Sequence, residues 1–242
     1  MTNNPSNTDI VAQNMSTKTA LNELRMSDHA LGRPLALCLM FETAKNQLLA
    51  ASVFNLVIAL DTALLIPSES LLAAIRIQWW ADAVVSTADQ NVPLVACLQS
   101  QYQMRDDLSP QLQELIGEWQ AACNDKTRES SAGWAAAWRL IALHLGHRTA
   151  AYQAAIIGRG LYYATRWQRY EKRADNIDIE SLWQNGRKEG RSWLYLSACL
   201  CLKLQRSQNS DLQPAQVKHH TGLDDPTLVW RILSWHIFGP PQ

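Results

Sequence analysis

The sequence has no net charge, because 22 Lys and Arg residues balance 22 Asp and Glu residues. A protein without excess charge has no overall field to attract nucleic acid or acidic lipid. We therefore expect no nucleic-acid partner, and any site for an anion must be built locally. The sequence also lacks a glycine-rich phosphate loop, a serine nucleophile elbow and a zinc-ligand cluster, so none of these catalytic motifs indicates an activity.

Paired cysteines are missing as well. The sequence has five cysteines, at Cys38, Cys97, Cys123, Cys199 and Cys201. They form no CxxC pair and have no His partner at metal-ligand spacing, which is typical of reduced core thiols in a cytosolic protein. The longest apolar stretch, over residues 48–65, is interrupted by polar residues and predicts no membrane span. We expect a cytoplasmic protein with at most peripheral membrane contact.

Phenylalanine is scarce and tryptophan is abundant, with three Phe against ten Trp. Tryptophan rings fill large, irregular spaces between helices, and each carries an N–H group that needs a partner when buried. At this length one core can serve the whole chain. Residues 1–26 are polar and mixed, without signal or transit features, and they predict a disordered tail before one helical domain over residues 27–242.

Frequent helix-start signals and the near absence of strand alternation predict an all-α protein. Ser109-Pro110 and Asp225-Pro226, for example, each place a capping residue before a proline. The mostly polar segment 172–187 predicts a long surface loop. The predicted helices span residues 27–40, 43–65, 68–87, 92–102, 109–124, 130–145, 148–173, 190–207 and 226–238.

Residues 75–84, with the sequence IRIQWWADAV, are the most unusual stretch of the chain. This stretch resembles the IRLQWWRDAL-type segment of the squalene/phytoene synthase family, particularly the branch that includes complex I assembly factors. Asp28, the pair Phe54-Asn55 and the corner Ser68-Glu69 resemble the opening of the same family. The chain departs from the family pattern at Ser70, where the family has proline, and at Ala81, where it usually has a basic residue.

The resemblance implies an isoprenoid-synthase-type helical bundle with a central apolar cavity. Enzymes of this family ionise an allylic diphosphate with Mg²⁺, which two aspartate-rich motifs on facing helices hold. Asp61 is the single acid where the first motif is expected, and Arg169 and Arg173 stand at or next to the expected acids of the second. Our leading hypothesis is a family member without prenyl transferase activity or cofactor that acts in binding or complex assembly. The alternative is a prenyl transferase with a displaced acidic site, which would need magnesium.

Four residues of the tryptophan segment are candidates for the edge of a binding pocket. They are Arg76, Gln78, Trp80 and Asp82. A pocket edge on this helix would offer a guanidinium, an amide, an indole and a carboxylate to a ligand or a protein partner.

Ordinary helix packing is the other interpretation of the same segment. In that interpretation Leu71, Ile75, Trp79 and Ala83 form the packed face, since they recur every four residues. Arg76 would then stack on Trp80, and Gln78 would hydrogen-bond to Asp82.

A stripe of arginines is predicted on the helix that follows residue 148. Its members, spaced to lie along one side of a helix, are Arg159, Arg166, Arg169 and Arg173. The stripe is either a solvated face or a cluster that holds an isoprenoid diphosphate or a phospholipid headgroup through bidentate hydrogen bonds. For the prenyl transferase alternative, a displaced acidic motif would consist of Glu171, Asp175 and Asp178.

Overall fold

The computed structural model describes residues 7–86, 92–102, 105, 107–125, 127, 129–166, 180, 182, 192–209 and 228–238. These residues form α-helices and connecting turns, with no strand among them, so the predicted all-α class is confirmed. The helices are α1 (Asn7–Met26), α2 (Gly32–Leu39), α3 (Ala44–Leu65), α4 (Ser70–Val85), α5 (Pro93–Gln99), α6 (Leu108–Cys123), α7 (Ser131–His144), α8 (Ala151–Arg166), α9 (Ser192–Asn209) and α10 (Leu228–Phe238). A short 3₁₀ helix, Arg148–Ala150, precedes α8.

Each of the nine helices predicted from the sequence corresponds to one of α2 to α10. The predicted corner at Pro67 separates α3 from α4, because proline cannot continue the first helix and its own φ is fixed. The described part of α8 ends at Arg166. The predicted loop over residues 172–187 lies outside the described residues, apart from positions 180 and 182, which are helical.

The prediction of a disordered tail over residues 1–26 is wrong for residues 7–26, which form α1. This helix packs against α2 and α3. Ala20 and Leu24 lie one turn apart and are fully buried, and the side-chain amide of Asn55 donates to the Ala20 carbonyl at 2.9 Å. Buried apolar residues at helical spacing anchor this helix, while Lys18 and Arg25 face solvent. Residues 1–6 lie outside the described residues.

Tryptophan rings occupy the interior between α3, α7 and α9. Trp134 and Trp138 of α7 stack with ring centroids 5.4 Å apart. Phe54 of α3 lies 4.5 Å from the Trp138 ring and 6.2 Å from the Trp193 ring of α9. Within the described residues four tryptophans are completely buried, which accounts for the aromatic composition: large rings fill the gaps between crossing helices.

Helix α3 is the centre of the bundle and packs against α1, α2, α4, α5, α6 and α7. It is long and apolar enough to cross a membrane, and 78% of its most apolar window is buried among the other helices. Its all-round apolar character therefore matches its position, because a helix that is surrounded by other helices has no face for polar residues.

Candidate functional site

The acid at the expected first metal motif, Asp61, is buried near the end of α3 and is only 3% exposed. Its Oδ1 accepts hydrogen bonds from Trp119 Nε1 at 2.8 Å and from Ser130 Oγ at 2.7 Å. Its Oδ2 accepts one from Trp134 Nε1 at 2.9 Å. The carboxylate thus joins α3 to α6, to α7 and to the residue before α7.

Three donors to one carboxylate supply the partners that a buried charge needs. In return the two indole N–H groups, which would otherwise be buried without acceptors, are satisfied. The arrangement explains why a single acid persists on an apolar helix. It also means that a metal ion at Asp61 would have to displace hydrogen bonds that hold the core together.

A second polar cluster continues from this one towards the surface. The Ser130 backbone N–H donates to Tyr162 Oη at 3.1 Å. Next to it, the exposed Glu129 carboxylate accepts hydrogen bonds from Ser131 Oγ, at 2.6 Å, and from Tyr163 Oη. The two hydrogen bonds lower the pKa of Glu129 below its ordinary value. Burial and the hydrogen bond to Glu129 both raise the pKa of Tyr163.

Helix α4 divides its four candidate site residues between two grooves. Gln78 and Asp82 line a groove towards α6, with a volume of about 460 Å³. Gln78 Nε2 donates to Asp82 Oδ1 at 2.9 Å, and Gln120 Nε2 of α6 donates to Gln78 Oε1 at 2.9 Å. The hydrogen bond from Gln78 to Asp82 that the packing interpretation predicted is therefore present.

Arg76 and Trp80 line a different groove, between α3 and α4, with a volume of about 490 Å³. Arg76 is exposed, whereas Trp80 is half-buried and packs against the core. The indoles of Trp79 and Trp80 meet edge to face, with centroids 4.9 Å apart. The four residues thus do not share one pocket, and each pair borders its own groove.

The packed face that the sequence predicted for α4 is wrong except at Ala83, which is buried. Leu71 and Ile75 are 68% and 56% exposed, and Trp79 is 42% exposed. The helix instead buries Ala73 and Ile77, which are both fully covered. Because α4 is apolar on several sides, its pattern did not reveal which side meets α3 and α6; the small Ala73 permits close approach on the side that does.

The arginine stripe falls mostly beyond the described residues. Arg159 is half-buried on α8. Arg166 is the last residue of α8, and its side chain lies outside the described part of the structure. Arg169 and Arg173 lie outside it altogether, as do Glu171, Asp175 and Asp178 of the alternative acidic motif. Both interpretations of the stripe therefore stay predictions.

A third groove lies between α6, α7 and α8 and was not predicted. Its volume is about 650 Å³, and its lining includes Glu114 and Glu118 of α6, Arg139 of α7 and Arg159 of α8. The two glutamates stand one helical turn apart, so the spacing of acids on α6 was the signal that could have revealed them. No group of three or more His, Cys, Asp or Glu residues is placed to hold a metal within the described ranges.

Comparisons with protein-family models, with curated proteins and with solved structures find no match. The resemblance to squalene/phytoene synthases therefore depends on the residues of the sequence itself, above all on positions 75–84.

Proposed function

We propose that the chain is a squalene/phytoene synthase-like protein without prenyl transferase activity, which acts in binding or complex assembly. The observation that supports this proposal most is the bonding of Asp61. In a metal-dependent relative, a carboxylate here would point at Mg²⁺ and at a diphosphate leaving group. In this chain the same region of α3 supplies a single carboxylate, which accepts hydrogen bonds from Trp119, Ser130 and Trp134.

The proposal includes an isoprenoid-synthase-type bundle, a cytoplasmic location and no resident cofactor. A protein partner, an isoprenoid diphosphate or a lipid is the expected ligand, with membrane contact at most peripheral. The exposed apolar residues of α4 support a binding role, because an apolar surface of this kind commonly marks an interaction site.

Diphosphate release is the direct test of this proposal. Purified full-length protein is incubated with farnesyl or geranylgeranyl diphosphate, with Mg²⁺ or with a chelator, and the released diphosphate is measured. We expect the same background rate in both conditions, because Asp61 already serves the core. Release that depends on Mg²⁺ would refute the proposal.

The groove between α6, α7 and α8 gives the prenyl transferase alternative a specific form. Glu114 and Glu118 lie one turn apart on its wall, as the acids of a metal motif would. Arg139 and Arg159 line the same groove and would compete with a cation for these carboxylates. If Mg²⁺-dependent release is found, loss of it in Glu114→Gln plus Glu118→Gln would assign the alternative to this groove.

A further inference from the structure

The groove between α3 and α4 exists because small side chains on one helix lie opposite large ones on the other. Ala59 and Ala63, one turn apart on α3, line it together with Ile75, Trp79 and Trp80 of α4. Short alanine side chains cannot fill the space beside the bulkier residues of α4. The result is a trough of about 490 Å³ with mostly apolar walls, in the size range of small-ligand pockets.

The apolar surface extends from the trough onto the outside of the protein. Ile75 is 56% exposed and Trp79 is 42% exposed, although both are large apolar side chains. Leu71 and Leu72, on the preceding turn of α4, are 68% and 46% exposed. Water therefore contacts a continuous apolar stripe on α4, and covering it with an apolar ligand is favourable because apolar surface is removed from water.

Arg76 is the one charged residue on the lining of this trough within the described part of the chain, and no carboxylate lies beside it there. Its guanidinium offers five N–H donors in a planar fork that matches a carboxylate or a phosphate. The other polar lining residue, Thr62, donates its hydroxyl to the Ile58 carbonyl at 2.7 Å. The charge of the trough is thus positive and located at a single point on its wall.

We propose that this trough binds an apolar chain that ends in one anionic group. The chain would lie on Ala59 and Ala63 against Ile75 and Trp79, and the anionic head would pair with Arg76. Asp61 is two residues from both alanines, which places its carboxylate on nearly the opposite side of α3. The trough is therefore separate from the Asp61 cluster, and the inference does not depend on whether the protein has prenyl transferase activity.

A free fatty acid is the occupant that fits these observations, because the trough has the volume of a site for one small ligand and carries one positive charge. Calorimetric titration with monomeric palmitate tests this occupant, and palmitate methyl ester has the same chain without the charge. Flotation with vesicles of phosphatidylcholine and phosphatidylglycerol tests the other source, an anionic membrane lipid. Palmitate binding supports the proposal, whereas binding of vesicles alone, or of neither, overturns it.

Matched variants assign the binding to the trough. Arg76→Glu reverses the charge and is expected to weaken binding of palmitate by about tenfold or more, because the ion pair is lost and a repulsion is added. Arg76→Lys keeps the charge but loses the planar fork, so it is expected to bind palmitate more weakly than wild type and more tightly than Arg76→Glu. Methyl ester binding should be insensitive to both changes.

Filling the trough provides the second pair of variants. Ala59→Leu should weaken binding of palmitate and of its methyl ester alike, since the leucine side chain takes the place of the apolar chain. Ala121→Leu, on the exposed side of α6, adds the same volume elsewhere and should leave binding unchanged. Circular dichroism confirms that each variant is folded. Binding that neither Arg76→Glu nor Ala59→Leu reduces would be adventitious and would overturn the proposal.

Discussion

At the scale of the residue, Asp61 is the group on which the most structure depends. We expect Asp61→Asn to lower the free energy of unfolding by about 2–4 kcal/mol. The amide has one oxygen, so whichever way it turns, its NH₂ group meets an N–H or O–H donor from Trp119, Ser130 or Trp134. Urea unfolding of the two proteins measures the difference.

Asp82→Asn is the matched control for this change, because Asp82 is exposed and bonded only near the surface. Its effect should stay within about 0.5 kcal/mol. Equal stability of Asp61→Asn and wild type would mean that the carboxylate is not a structural anchor.

The pair Glu129 and Tyr163 gives a prediction about pH. Hydrogen bonds from Ser131 and Tyr163 lower the pKa of Glu129, so its ionised form is favoured in the folded state. This contribution to stability is present above the pKa that Glu has in the unfolded chain. It is lost as the pH falls through the pKa of Glu129 in the folded protein. In Tyr163→Phe one donor is gone, and the pKa of Glu129 should rise. A carboxyl NMR titration measures the pKa of Glu129 in both proteins. The same pKa in Tyr163→Phe as in wild type would show that Tyr163 does not donate to the carboxylate.

The sequence could locate Asp61 but could not reveal its partners. An isolated acid on an apolar helix is visible by inspection, and its failure to form a metal motif follows from the absence of a second acid one turn away. Trp119, Ser130 and Trp134 lie 58, 69 and 73 residues away along the chain. Helical periodicity says nothing about such distant pairings, and only the packing of α6 and α7 against α3 brings them together.

At the scale of the element, α7 and α8 are in close backbone contact at Gly158. A Cβ atom there would lie 2.5 Å from the backbone oxygen of Trp134, and backbone atoms cannot turn aside as a flexible side chain can. We expect Gly158→Ala to destabilise the protein by about 2–3 kcal/mol because the two helices must separate.

Gly117 supplies the control, since a Cβ atom there would meet nothing within 4 Å. In the middle of α6, Gly117→Ala should stabilise the protein by about 0.5–1 kcal/mol through lower entropy of the unfolded chain. Thermal unfolding compares the stability of the two variants. A Gly158→Ala protein as stable as Gly117→Ala would contradict the close contact between α7 and α8.

Helices themselves were easier to predict than their orientation. Prolines and capping residues mark where α3, α4 and α5 begin or end, and these signals are local. The buried side of α4 could not be predicted in this way, because the exposed residues Leu71, Ile75 and Trp79 are as apolar as the residues that the helix buries. Where a helix is apolar on more than one side, its neighbours decide which side is covered.

At the scale of the whole molecule, the cysteines report how the bundle opens. Cys38 on α2 and Cys199 and Cys201 on α9 are fully buried, while Cys97 and Cys123 are 8% and 7% exposed. Burial raises the pKa of Cys201 to about 12 and also raises the pKa of Cys38 and Cys97. Because the thiolate is the reactive form, modification of the native protein must be slow and must follow an opening of the structure.

The positions of the thiols predict the order in which they react with iodoacetamide, followed by mass spectrometry. Cys97, on the short helix α5, and Cys123, at the end of α6, should react first through local opening. Cys38, Cys199 and Cys201 should react together and later, at the rate of global unfolding, because α9 packs on α2 and α8. All five should react at once in urea. Early reaction of Cys199 and Cys201 in native buffer would mean that α9 opens separately, and that the bundle is not one cooperative unit.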